Sequence, residues 1–143
     1  MINETNGGFL ISQIKQVSGR IFEKLLAGAG VDAFNGAQGH ILYVLWQADS
    51  IPIVELSRKT GLAKATLTSM LDRMEAAALV RRVFDKTDRR QIRIALTEKA
   101  KTLNDAYTSI SREMSTIYYK GFSGEEIIAF ESSLQRVMQN LFE

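Results

Sequence analysis

The chain has 143 residues, 45% of them hydrophobic, which suits one ordinary domain with its own core. It has no cysteine and a single histidine, His40, so disulfides, thiolate nucleophiles and thiol redox sensing are excluded, and neither a metal site nor a cofactor is expected. The net charge of +2 conceals a basic middle: residues 51–97 carry ten Lys or Arg against five acids, and the rest of the chain eight against eleven.

A basic stretch on an acidic frame suits a polyanionic partner, or else is a solvated charged face. No run of 18 apolar residues occurs, and the opening "MINETNGGFL" lacks the basic start and apolar stretch of a secretory signal. The expectation is a soluble cytoplasmic protein with no membrane partner.

Leu10, Ile14, Val17, Ile21 and Leu25 recur at spacings of 4, 3, 4 and 4, one face of a helix ending near Gly28 and Gly30. Gly19 inside it marks a close helix crossing. In "FNGAQGHILYVLWQAD", Asn35 and Gln38 form a capping box for a second helix. Ile41, Leu42, Val44, Leu45 and Trp46 make that helix apolar over much of its circumference, so it is buried between others.

Two short helices joined at Gly61 follow, with Pro52 in the first turn of the earlier one. "VRRVF" and "QIRIAL" then alternate as a two-stranded antiparallel hairpin whose tip is "DKTDRR", residues 85–90. Ile92, Ile94 and Leu96 share one face of it, with Arg93 and Ala95 on the other. Thr97 caps a long helix to about Lys120, and Ser123 with Glu126 forms a capping box for the last. The last two helices carry apolar stripes at heptad-like spacing, Leu103 to Ile117 and Ile127 to Leu141, and pack on other helices of this chain or of a second copy. Met70, Met74 and Met114 read as core filler, and His40 as a packed or exposed helix residue.

A helix-turn-helix needs a small residue at its sharp turn and apolar residues locking both helices. Gly61, with Leu56 and Leu62 beside it and Leu67, Met70 and Leu71 beyond, meets that need. Lys64, Ala65, Thr66, Thr68, Ser69 and Arg73 then face outward, short polar or basic side chains suited to base edges and phosphates. An ordinary helical hairpin satisfies the same spacing. The basic ribbon directly after it favours a winged helix, in which Lys86, Asp88, Arg89 and Arg90 of the wing tip reach DNA. Asp88, two residues from Arg90, can aim its guanidinium; alternatively the two are a surface ion pair and no more.

The stretch "LTSMLDRMEAAALVRRVFDKTDRRQIRIALTEKA" resembles the recognition helix, wing and following helix of the MarR family of bacterial transcription regulators. Its most specific part is the D-x-R of Asp88-Arg89-Arg90 followed by "ALTEKA". Where many relatives have Ser, this chain has Ala63 and Ala65; it has Ser69 for Arg and Ala78 for Gly. The resemblance implies a mainly α fold with a small β wing, a winged helix-turn-helix flanked by N- and C-terminal dimerisation helices. On that pattern residues 1–143 form one domain, with 9–28 and 97–143 for dimerisation and 37–96 for DNA. It further implies a homodimer acting on a pseudo-palindromic operator in double-stranded DNA, as a repressor answering to a small anionic, phenolic or lipophilic effector. Tyr43 and Trp46 lie nearest the effector pocket on this pattern, although large aromatics at helical spacing are more often core.

Two other classes compete. A winged helix can serve protein contact without specific DNA binding. An enzyme has little to rest on: no phosphate-cradling glycine loop and no nucleophile beside a base, hence no catalytic residues.

Overall fold

The computed structural model describes residues 4–88 and 90–142. It divides into two compact units, described separately below, with the boundary after Ser111.

In the first unit, α1 (Gly7–Gly28) is followed by α2 (Gly36–Gln47). The capping box that opens α2 has both of its bonds: Gln38 N–H donates to Asn35 Oδ1 at 2.8 Å and Asn35 N–H to Gln38 Oε1 at 3.0 Å. Ile41, Leu42 and Leu45 are fully buried, so α2 is the central helix that its all-round apolar sequence requires. The close approaches within the chain are at α2: a Cβ at Gly39 would fall 2.8 Å from the Tyr107 ring, and one at Gly36 would fall 2.8 Å from Glu23 Oε1 of α1. At Gly19, where a crossing was expected, a Cβ would meet nothing of its own chain within 4 Å.

A sheet of order β1-β3-β2 closes the unit, all antiparallel. The hairpin strands are β2 (Val80–Phe84) and β3 (Ile92–Leu96), while β1 (Ile51–Pro52) adds a short third strand paired Ile51 to Ile94. Pro52 therefore lies in an edge strand, as the N-cap of α3 (Ile53–Thr60) rather than inside its first turn. Ala95 is buried as well as Ile94 and Leu96, so both sheet faces are covered at that end.

Between α3 and α4 (Lys64–Ala76), Gly61 takes φ 75°, the left-handed conformation the sharp turn needs. Leu56, Leu67, Leu71 and Met74 are fully buried. The end of α4 is a Schellman motif: Ala78 N–H donates to the Glu75 carbonyl at 3.0 Å and Leu79 N–H to the Met74 carbonyl at 2.9 Å. The residue in the left-handed position is Ala78, at φ 60°. The same motif ends α1, with Gly30 at φ 71° in that position.

The helix expected from Thr97 to Lys120 is broken into α5 (Glu98–Lys101) and α6 (Asn104–Tyr118). Thr97 does cap it, accepting from Ala100 N–H. The break follows from what the Ala100 carbonyl binds: Leu103 N–H at 3.1 Å, a tight i to i+3 bond, and the indole N–H of Trp46 at 3.0 Å.

The second unit holds the end of α6 and α7 (Gly124–Leu141), joined by a turn with Gly121 at φ 85°. Its capping box, Ser123 with Glu126, is present. Tyr119, Phe122 and Phe130 pack ring to ring at 5.6 to 6.4 Å, and the Tyr119 hydroxyl donates to Glu131. That bond, with some burial, pushes the Tyr119 pKa up to about 12. None of the described residues of this unit is buried, so Met114 is not the core filler expected of it.

Candidate nucleic-acid interface

The amphipathic division of α4 sets the first half of the surface. With Leu67, Leu71 and Met74 buried, all six expected positions are exposed: Lys64, Ala65, Thr66, Thr68, Ser69 and Arg73. The N-cap residue Ala63 makes no side-chain bond, so it leaves the N–H groups at the start of α4 without a cap of its own. Thr68 turns its hydroxyl proton back to the Lys64 carbonyl at 2.9 Å.

The wing supplies the second half, and its anchor is Asp85. One carboxylate oxygen accepts from Thr87 N–H at 2.9 Å, the Thr87 hydroxyl at 2.7 Å and Asp88 N–H at 3.3 Å. The other accepts from Arg93 Nε at 2.9 Å. These bonds, the Thr87 hydroxyl first, hold the carboxyl well below the usual carboxylate range. Arg93 also donates to the Ser50 carbonyl at 2.8 Å, while Asp49 accepts from Ser50 N–H and Leu96 N–H. The base of the wing is thereby tied to the turn before β1, where Ser50 has φ 58°.

At the tip, Asp88 Oδ1 accepts from Arg90 N–H at 3.0 Å and Arg90 Nε at 3.3 Å. The Arg90 side chain is nonetheless 92% exposed. Lys86 is exposed beside it, and Arg89 lies outside the described residues.

The sequence reading missed Asp85, Arg93 and Arg82. Arg82 spans from β2 to α4, donating to Asp72 at 2.8 Å and Glu75 at 2.9 Å. Of the basic middle, Arg82 and Arg93 are thus committed inside the protein. Lys64, Arg73, Arg81 and Lys86 make no ion pair among the described residues. A carboxylate two to four residues from an arginine can be read from sequence; one ten residues away around a turn cannot.

Tyr43 and Trp46 meet Tyr107, with ring centroids at 5.9 and 5.3 Å. Trp46 also packs on Phe34, and its indole N–H donates to the Ala100 carbonyl. Tyr43 is 46% exposed. Burial raises the Tyr107 pKa. A cleft of about 480 Å³ opens elsewhere, on the outer face of the wing, among Arg81, Val83, Arg93, Ala95 and Lys101. His40 is exposed, with Nε2 3.0 Å from the Thr60 carbonyl.

The family model for the MarR family matches residues 34–92, from just before α2 to the start of β3. The chain belongs to the MarR family. An uncharacterized HTH-type transcriptional regulator of Bacillus subtilis, YsmB, is 34% identical over 97 residues, 68% of this chain and 66% of that protein. The HTH-type transcriptional regulator TtmR of Methylorubrum extorquens is 34% identical over 95 residues, 66% of this chain and 47% of that one. The chain therefore spans about two thirds of the first relative and about half of the second. A crystal structure of mutant MarR from E. coli complexed with operator DNA matches with a TM-score of 0.78 at 24% identity, covering 91% of each chain. The winged helix with its small three-stranded sheet is the fold of this family.

Proposed function

We infer that the chain is a sequence-specific double-stranded DNA-binding transcription regulator, a repressor that works as a homodimer on a pseudo-palindromic operator. The observation that carries this is Arg90: a nearly fully exposed guanidinium at the wing tip, bonded to Asp88, on the unit that also presents the polar face of α4. A guanidinium so placed suits the minor groove, where a narrow phosphate-lined channel attracts it. Lys64, Thr66, Thr68, Ser69 and Arg73 meet base edges and phosphates in the major groove, and Ala65 lets the helix approach closely. Asp88 aims the arginine; its own charge is offset by the bond it makes. The MarR crystallised with operator DNA supports the choice of partner.

The dimer reading rests on apolar surface. Phe9, Leu10, Ile14 and Val17 on α1 are 42–64% exposed, and Ile128, Val137, Met138 and Leu141 on α7 are 43–73% exposed. Stripes of this kind on helices call for a partner helix. Two recognition helices held about 34 Å apart, one turn of B-DNA, read both half-sites. An effector resting on the Tyr43, Trp46 and Tyr107 aromatics, a small phenolic, anionic or lipophilic molecule, regulates by preferring one spacing, and shifts DNA binding only by that preference.

The test is a selection of genomic fragments by the purified protein near physiological salt. Each enriched sequence is then titrated against a scrambled duplex of equal length. An enriched inverted repeat, lost with Arg90→Ala, is the expected result. Equal, weak and salt-erased binding to both duplexes overturns the reading, and leaves a winged helix for protein contact.

A further inference from the structure

We propose that Arg82 is a positioning residue that locks the recognition helix to the wing, delivering both to DNA as one body without touching DNA itself. The inference rests on the DNA-binding reading above.

The chain leaves α4 through the left-handed Ala78 and enters β2 two residues later, so the angle between helix and wing is set at a single turn. Bonds at the turn itself tie it to the residues after β3: Thr97 donates its hydroxyl to the Ala78 carbonyl at 2.6 Å and its N–H to the Leu79 carbonyl at 3.2 Å, and Lys99 Nζ donates to the Ala77 carbonyl at 3.1 Å. Arg82 adds a direct link from β2 to the exposed side of α4. Arg82 bridges across the turn. Its NH2 donates to Asp72 at 2.8 Å and lies 3.5 Å from the Thr68 carbonyl, and NH1 donates to Glu75 at 2.9 Å. Its own backbone N–H donates to the second Glu75 oxygen at 3.2 Å. The planar fork thus holds two carboxylates one helical turn apart, a geometry an ammonium cannot reproduce. The Arg82 side chain is 23% exposed, against 66% for Asp72 and 44% for Glu75.

A charge argument points the same way. Two carboxylates on a helix that approaches phosphates would oppose binding, and the guanidinium offsets both. Arg90 differs on each count: its side chain is 92% exposed, with one carboxylate as its ion-pair partner.

The experiment compares wild type, Arg82→Lys, Arg82→Ala and Arg90→Ala, each first shown to melt cooperatively. Without DNA, amide hydrogen exchange is followed by peptide. Arg82→Lys should speed exchange over residues 73–83 and leave α7 unchanged, and identical exchange in wild type and variant overturns the lock. With the selected duplex, affinity is measured over a series of salt concentrations. Arg82→Lys, which keeps the charge but not the planar fork, should bind about tenfold or more weakly with the slope against salt unchanged, and Arg82→Ala at least as weakly. Arg90→Ala should lower the slope by about one. Wild-type affinity in Arg82→Lys overturns the proposal, because a cation that only meets a phosphate survives that exchange and a fork across two carboxylates does not. If wild type binds no duplex specifically, the DNA reading falls while the exchange result still decides the lock.

Discussion

The helices of the winged region and the two helices of residues 112–142 are written in the same apolar rhythm, yet end in opposite states. Leu56, Leu67, Leu71 and Met74 are fully buried within their own chain. Between 112 and 142, no described residue is buried, and Leu141 is 73% exposed. Periodicity says which face of a helix is apolar; it does not say what covers that face. In one region the cover is the rest of the chain. In the other we propose a second copy.

The contrast can be broken at several points. Leu71→Ala removes a fully buried side chain and should cost ~2–5 kcal/mol in chemical denaturation, dimeric or not. Val137→Asp, at a position 43% exposed, should leave helix content intact and weaken self-association about a hundredfold or more by sedimentation equilibrium, since two copies each lose an apolar burial of ~1.5–3 kcal/mol. Unchanged association would mean α7 is not the interface. Arg90→Ala should cost ~1–3 kcal/mol of operator binding and nothing in melting temperature.

Two smaller effects sharpen the winged side. Ala78 sits where Gly30 sits at the end of α1, so Ala78→Gly relieves left-handed strain of ~1–2 kcal/mol and gives some of it back as unfolded-chain entropy. Stability should stay level or rise by up to about 1 kcal/mol, and a fall would show that the strain is absent. Asp85 has its pKa depressed in the folded state, so its contribution is complete above the unfolded carboxylate pKa, about 4, and is lost only as pH falls through the lower folded value. Amide exchange at the wing base should therefore not change between pH 7 and pH 5, beyond intrinsic chemistry, and Asp85→Asn should loosen it at both.

What could be read from sequence was local. The Asn35–Gln38 and Ser123–Glu126 boxes, the Thr97 cap, the Gly61 turn and the Asp88–Arg90 pair each join residues two or three apart, or need only one residue's backbone freedom. What escaped is held from a distance. The break after Lys101 depends on Trp46, the close contact at Gly39 on Tyr107, and the α4–wing clamp on carboxylates seven and ten residues from Arg82. A two-residue strand such as β1 has no alternation to read.

The central claim is that two chains grip one inverted repeat. The direct measurement is a titration of the selected repeat against a duplex of equal length with one half scrambled, at matched salt, with stoichiometry read at saturation. Two chains per duplex, and a loss of about a hundredfold or more when one half is scrambled, is the predicted result. Equal affinity for both duplexes at one chain each would contradict the account.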